Sequence, residues 1–412
     1  MQPPMQQRRI QQRRILLGVT GGIAAYKAPE LVRALRRCGH SVRCVMTPSA
    51  VQFVSPLALQ ALTAQPVRTE LLDPGQEGEI DHIALADWAE LLLVAPATAD
   101  TLARLAHGMA GDMVSAVALA TRAPLLLAPA MNVNMWQHPA TQQNLATLRE
   151  RGASFVGPDS GELACGWEGE GRMSEPAAIA AAAELALGPR SLSGEVVLVT
   201  AGGTRERVDP VRYLGNRSSG KMGFAVAAEA ARRGAEVVLV AAACGLSTPA
   251  GVTRVDVETA EEMRDAVMAR LAGASIVVKA AAVADFRPAA PHARKLKKED
   301  LPEAAGLTLE LERTPDILAE LCREKGSRTV VGFAAESHDL VEAARRKLAR
   351  KGCDLLVAND VSREGSGFDS DDNTVVFVWP GGDVEELPSL PKSEVAAQLL
   401  DRVQKLRTPA GS

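Results

Sequence analysis

Aromatic residues are scarce, at 3% of 412 positions: two Tyr, four Trp and seven Phe. The apolar share of 47% rests largely on Ala and Val and comes with 34 Gly. That composition suits close helix-on-sheet packing better than a β-sandwich. Cysteine is sparse too. The six, at 38, 44, 165, 244, 322 and 353, show no CxxC spacing and no His partner pattern. This argues against a disulfide framework or zinc site and for a reducing compartment, hence the cytoplasm. An excess of one charge is lacking: the net is −4, so no global field attracts nucleic acid. No apolar run approaches the ~20 residues of a membrane span. The basic, Gln-rich stretch 1–14 has no apolar h-region, so it is read as a disordered tail rather than a secretory signal.

What is present is an alternation of strand and helix patterns, the mark of a parallel sheet with right-handed crossovers. Strand patterns occupy 15–20, 41–46, 91–95 and 125–128; helical ones occupy the stretch from Gly21-Gly22 to about 37, then 57–62, 99–107, 112–120 and 176–187. Residues 189–194 (PRSLSG) read as a linker. The plan then restarts, with strands at 196–200, 237–242, 275–279, 330–334 and 355–358, a helix at 220–233 and an edge hairpin near 375–379. Ala201-Gly202-Gly203 follows Thr200 as Gly21-Gly22 follows Thr20, and the 280–285 segment echoes 95–100. The expectation is an α/β chain of two Rossmann-like units, each a mostly parallel sheet flanked by helices, over 15–188 and 195–406. Residues 286–306, polar and rich in Pro and Lys, are long enough for a mobile lid.

In open α/β sheets ligands bind outside the carboxyl ends of the strands. Met131, Asn132 and Met135 follow the 125–128 strand. An Asn there offers donor and acceptor to a planar or carboxylate-bearing ligand, and Met offers adaptable surface for a flat ring. The turn Gly18 to Lys27 presents backbone N–H groups to a phosphate. It is not GxGxxG, so a mononucleotide such as FMN fits better than a dinucleotide. His82 is a candidate general base; the alternative is a solvated helix-cap histidine. Thr98 sits in a small-residue loop and can donate to a ligand. Cys165 lies in a polar, Gly-rich flexible loop, as an acid or nucleophile or as an incidental exposed thiol.

His82 in its segment, Pro129-Ala130-Met131-Asn132-x-x-Met135, and Cys165 followed by 169–173 occur together and in order. They resemble the flavin-dependent cysteine decarboxylases. The second half resembles phosphopantothenate–cysteine ligase, so the chain from about 15 to 406 resembles the bacterial bifunctional enzymes of coenzyme A synthesis. The resemblance implies FMN lined by Gly21, Gly22, Thr47 and Thr98. It also implies that oxidising the thiol end of a cysteinyl substrate creates the electron sink its carboxylate needs, and that the resulting enethiolate is reduced after CO2 leaves. His82 would be the base, Asn132 would hold the carboxylate and Cys165 would protonate during reduction.

In the second half, Gly215 to Lys221 has GxxxxGK spacing, but Met222 replaces the Mg2+-binding Ser/Thr and the preceding strand ends too early for a P-loop. In the ligase pattern this is a substrate-binding helix start whose amides suit a phosphate, with Asn216 at an acyl intermediate. Lys295, in Lys295-Leu296-Lys297-Lys298, stands where the family has its essential lysine, on a lid that closes on a triphosphate; otherwise the run is a solvated charge cluster. Asp285 suits a nucleotide hydroxyl or a Mg2+-linked contact, and Phe333 can pack on a base. Lys347 and Lys351, four apart, can reach phosphates from one helix face. The implied substrates are 4'-phosphopantothenate, L-cysteine and CTP with Mg2+, the direct metal ligands being unknown. A homo-oligomer, plausibly a dodecamer of trimeric decarboxylase and dimeric ligase units, is also implied. Gly203 stands where that family often has Pro, which would loosen the loop. Two alternatives are a flavin-binding regulatory or scaffold protein, against which His82, Asn132 and Cys165 argue, and an NAD(P) oxidoreductase, for which GxGxxG is missing.

Overall fold

Continuous apolar runs such as Ile15-Leu16-Leu17 and Leu91-Leu92-Leu93 are 0% exposed throughout. Such runs mark strands covered on both faces. In the computed structural model, which describes residues 12–71, 81–162, 166–297, 307–336, 339–360 and 370–407, they form central strands. The chain divides into two compact units, Met1–Gly188 and Pro189–Ser412.

The first unit holds a five-stranded parallel sheet in the order Ser41–Met46, Arg14–Val19, Leu91–Ala97, Leu125–Pro129, Ser154–Phe155. Side chains alternate between faces. Ile15, Leu17, Val19, Leu91 and Leu93 pack with Leu31, Leu35 and Ile179. Leu16, Leu92 and Val94 pack on the other side with Val114, Val117 and Leu145. Each such side chain contributes roughly 1.5–3 kcal/mol on burial. The helices Ala28–Arg37 and Pro176–Leu187 therefore cover one face, and Met113–Ala120 and Pro139–Glu150 the other.

Two expectations need correction here. The tail ends earlier than 14, because Arg14 opens the first strand. Glu90 fixes that start, accepting from Arg13 Nη1 at 2.8 Å and from the Arg14 amide at 3.0 Å. Within the loop expected to be flexible, 157–166, Asp159–Glu162 is a strand that pairs antiparallel with Glu168–Arg172, while 163–165 lie outside the described residues. Alternating polar and glycine residues hid it from a hydrophobic pattern.

The second unit's sheet runs Val252–Asp256, Glu236–Ala241, Val196–Ala201, Ile276–Lys279, Thr329–Glu336, Leu355–Asp360, Val375–Val378, Val384–Glu386. All neighbours are parallel until the last two pairings, which are antiparallel, the outer one, Val375–Val378 with Val384–Glu386, being the edge hairpin. Residues 189–194 are not a free linker. Leu192 is 2% exposed and its amide donates to Arg233 O, because an apolar side chain in a polar turn has a buried place to go. Arg233 itself is buried against Glu229 at 2.8 Å and Asp401 at 2.7 Å, which locks the helix Lys221–Arg232 to the C-terminal helix Lys392–Arg407. The first residues of the expected lid, Phe286–Pro288, pair antiparallel with Leu311–Arg313, which follows it; 298–306 lie outside the described residues.

Candidate functional site

Strand order decides where a ligand can enter. In the first sheet the chain leaves Arg14–Val19 to one side and Leu91–Ala97 to the other, so a crevice opens between their carboxyl ends. This 2-1-3-4-5 order is the one in which flavodoxin-type folds hold FMN. Thr20, fully buried, spans the crevice floor: its Oγ1 donates to Pro96 O at 2.7 Å and accepts from the Thr98 amide at 3.3 Å. Thr98 in turn caps the helix Ala99–His107 through Thr101 N at 3.2 Å. Thr47 donates its amide to Val19 O at 3.0 Å and lies 3.1 Å, hydroxyl to hydroxyl, from Ser49. A Cβ on Gly21 would fall 2.3 Å from Ser49 Oγ, so only glycine lets this loop approach. Gly21, Gly22, Thr47 and Thr98 are thus gathered at one place, Gly21 and Thr47 both against Ser49 and Gly22 against Thr98, beyond a strand end of the kind where phosphates are bound. The cradle fits a mononucleotide.

Along the sheet, Asn132 caps the short helix Val133–Gln137, its Oδ1 accepting from Asn134 N at 2.8 Å. Met131, half-buried, donates its amide to Gly171 O at 2.9 Å. Gly171 has φ +144, and a Cβ there would lie 2.3 Å from Met131 O. Trp136 Nε1 donates to Glu170 Oε2 at 3.0 Å. The glycine ribbon is therefore docked on the Met131–Asn132 segment. Cys165, between the ribbon's strands, lies outside the described residues. His82 is half-buried in the first turn of the helix Asp81–Trp88, and no described hydrogen bond joins it to the cradle or the ribbon.

In the second sheet the reversal falls between Val196–Ala201 and Ile276–Lys279. A cavity of about 1370 Å³ opens at their carboxyl ends, lined in part by Asn216, Asp285, Phe333, Lys347 and Lys351. Thr200 Oγ1 accepts from Ala281 N at 3.1 Å and Thr204 Oγ1 from Ala284 N at 3.0 Å, stapling the two switch-point loops. Asn216 Nδ2 donates to Val283 O at 3.0 Å, which fixes its amide. A Cβ on Gly203 would meet Asn216 O at 2.6 Å. The glycine therefore does more than loosen the loop, because it admits the Asn216 backbone. The helix Lys221–Arg232 packs closely through Gly223, whose added Cβ would lie 2.6 Å from Ala201 Cβ.

Lys351 pairs with the Asp316 carboxylate, which also caps the helix Ile317–Arg323 through Ala319 N at 3.1 Å. Desolvation raises the Asp316 pKa, but Lys351 and that amide outweigh it and hold the carboxyl below its usual range. Lys295 is exposed and lies apart from the cavity lining. The neighbouring Leu296 is tethered, its amide donating to Asp209 Oδ2 at 3.2 Å; Lys298 lies outside the described residues. Sequence reading missed Lys279, Asp316 and Asn373, all of which line the cavity. The signal for Lys279 was a lone cation closing an apolar strand; for Asp316 it was a capping residue ahead of Ile317. Among the described residues no group of three or more His, Cys, Asp or Glu is placed to hold a metal, and no helix is long and apolar enough to cross a membrane.

A family model described as Flavoprotein matches residues 4–184, and the DNA/pantothenate metabolism flavoprotein C-terminal domain matches residues 192–406. The coenzyme A biosynthesis bifunctional protein CoaBC of Vibrio vulnificus (strain YJ016) is 47% identical over 395 residues, covering 96% of this chain and 98% of that protein. The protein of that name from Escherichia coli (strain K12) is 50% identical over 390 residues, covering 94% and 95%. Among solved structures, the FMN binding protein AtHal3 is 32% identical, covering 42% of this chain and 96% of that one, with a TM-score of 0.37.

Proposed function

The chain belongs to the family of coenzyme A biosynthesis bifunctional proteins, and from that premise we propose that its two crevices house two consecutive reactions. It is an enzyme with a flavoprotein decarboxylase half and a ligase half. The ligase half joins 4'-phosphopantothenate to L-cysteine at the expense of CTP, through an acyl cytidylate. The flavin half decarboxylates the product, 4'-phosphopantothenoylcysteine, to 4'-phosphopantetheine. The observation that carries this reading is one furnished crevice at the strand-order reversal of each sheet. A regulatory or scaffold role is not favoured, since relatives of the bifunctional type align over both halves.

In this reading the amides after Gly21 and the hydroxyls of Thr47 and Thr98 hold the FMN phosphate, and Met131 packs on the ring. Bound flavin supplies an electron-pair acceptor that later returns the pair. His82 takes the proton from the substrate thiol end. The Asn132 amide, oriented by its bond to Asn134 N, donates to the substrate carboxylate. Cys165 protonates the enethiolate side during reduction.

In the ligase cavity Phe333 packs on the base, Asp285 meets a nucleotide hydroxyl, and Lys347 and Lys351 meet phosphates. Asn216, fixed by Val283 O, holds the acyl group. Lys295 approaches the triphosphate as the lid closes. Mg2+ enters as the counter-ion of the nucleotide. The free thiols at 38, 44, 244, 322 and 353 support a cytoplasmic setting, and a homo-oligomer, as large as a dodecamer, completes the proposal. The test is to supply phosphopantothenate, cysteine and CTP–Mg2+ to the yellow protein. Pyrophosphate, CO2 and phosphopantetheine in equal amounts support it; pyrophosphate without CO2, or neither, refutes it.

A further inference from the structure

The helix Ile317–Arg323 puts its first turn, from Asp316 to Ala319, on the cavity lining and carries Cys322 near its other end. The helix Leu340–Lys351 puts Lys347 and Lys351 on the same lining, and Cys353 follows it two residues on. Neither cysteine is part of the lining itself. The turns that carry them are fastened together. Lys325 Nζ donates to Gly352 O at 3.2 Å and to Asp354 Oδ1 at 2.6 Å, the two residues that flank Cys353. Asp354 Oδ2 in turn accepts from the Val330 amide at 2.8 Å. Both cysteines pack in one apolar cluster with Leu318 and Leu356. Their thiols lie within hydrogen-bonding reach, Cys322 being the donor. Cys353 is 1% exposed, whereas Cys322 is only half-buried. A buried cysteine alone is a small hydrophobe. Here one sulfur is reached from solvent and a second stands behind it, the arrangement in which an oxidised thiol finds a resolving partner.

We propose that Cys322 and Cys353 are a redox-modifiable thiol pair, closed to a disulfide by hydrogen peroxide and reopened by small thiols, and that the closed form clamps the helical wall of the ligase cavity. Only the effect on ligation rests on the reading of the cavity as the CTP site. The hydrogen bond from Cys322 lowers the Cys353 pKa, with burial opposing and the Gly332 amide assisting. The proton left on Cys322 is held the more tightly by that same bond and by burial. It is shared between two sulfurs, so the thiolate can appear on Cys322, the accessible one. That thiolate attacks peroxide. An S–O bond forms, the O–O bond breaks, and hydroxide leaves and takes a proton to become water. Cys353 then attacks the sulfenic sulfur. The S–S bond forms, the S–O bond breaks, and the hydroxide leaves as water with the Cys353 proton. Two thiols lose two electrons in all, and the peroxide gains them.

The experiment treats the whole flavoprotein with hydrogen peroxide, removes the peroxide, blocks remaining thiols and maps tryptic peptides without reduction. Peptides 314–323 and 352–363 should appear joined, lighter by two hydrogens than their sum, and should separate in dithiothreitol. Pyrophosphate release from CTP–Mg2+ and phosphopantothenate is followed with cysteine withheld, because its thiol would reopen the bond. The rate should fall roughly fivefold or more, as for two coupled sites, and return with dithiothreitol. Cys322→Ser and Cys353→Ala should each keep the untreated rate and lose the fall. Cys322→Ser changes one half-buried atom, so it carries the test even where Cys353→Ala disturbs the packing. Unlinked peptides, or Cys322 joined to a different cysteine, overturn the pair. Joined peptides with an undiminished rate overturn the clamp, and a fall that persists in Cys322→Ser assigns the loss to another group and refutes it too. No pyrophosphate from untreated protein overturns instead the reading of the cavity, and the peptide map then decides the pair by itself.

Discussion

Thr200 Oγ1 accepts the Ala281 amide at 3.1 Å, and Thr20 Oγ1 accepts the Thr98 amide at 3.3 Å. In each unit a buried threonine just inside or just past the end of the first strand staples the loop from across the strand-order reversal. The two halves use the same local device to keep a crevice floor in place. Replacing Thr20 or Thr200 by Val keeps the volume and leaves a buried N–H unpaired, at a cost of about 1–3 kcal/mol. Thr20→Val should lose flavin on dialysis while ligation persists; Thr200→Val should weaken CTP binding while flavin persists. Absorbance and CTP titration of both variants check this.

Cys165→Ser should divide the decarboxylase cycle. A hydroxyl is a far weaker acid than a thiol, so reduction should stall after CO2 has left. CO2 release with accumulation of the oxidised enethiol, followed by mass spectrometry, is expected. Phosphopantetheine formed at the parental rate would reduce Cys165 to a bystander.

Lys295→Gln should cut pyrophosphate release from CTP and phosphopantothenate by about 10²–10³, the usual cost of one charged transition-state donor. Lys297→Gln should cost far less. Lys295 lies apart from the cavity lining, so the rate difference measures whether the lid brings that residue, and not merely its charge, to the phosphates. Equal small losses would leave a diffuse basic lid.

The ligase unit should lose stability in acid through Glu229. Desolvation raises this carboxyl's pKa, but hydrogen bonds and charge from Arg232 and Arg233 outweigh it, so its folded value lies below the ordinary one. A depressed carboxylate stabilises above its unfolded pKa, and that contribution fades as pH falls through the folded value. Glu229→Gln leaves Arg233 with the Asp401 carboxylate and Ala397 O and should cost about 1.5–3 kcal/mol at pH 7, the worth of a hydrogen bond to a charged group. Melting curves of parent and variant should converge as pH falls below the usual carboxylate range. A gap independent of pH would remove Glu229 as the cause.

The strands were legible because they are buried on both faces, and uninterrupted apolar runs such as Leu91–Val94 have few other readings. The helix 99–107 was legible from its pattern, whereas the cap that Thr98 gives it through Thr101 N was not read. The ribbon at Asp159–Glu162 and Glu168–Arg172 was not, because its glycines and charges carry no period-two signal; it is held by contact with Met131 and Trp136. Gly21, Gly22 and Thr98 could be named from strand ends, and Thr47 from the family resemblance alone. Lys279 could not, since its meaning depends on which strands become neighbours, and strand order is a property of the sheet rather than of any local segment.

One paired measurement tests the central claim, that each unit houses one of two successive reactions. His82→Asn and Asn216→Ala are each given phosphopantothenate, cysteine and CTP–Mg2+, then mixed. His82→Asn should release pyrophosphate and accumulate phosphopantothenoylcysteine, with flavin bound and no CO2. Asn216→Ala should release no pyrophosphate yet decarboxylate supplied phosphopantothenoylcysteine, and the mixture should make phosphopantetheine. Loss of both activities in either variant, or normal CO2 release by His82→Asn, would contradict the account.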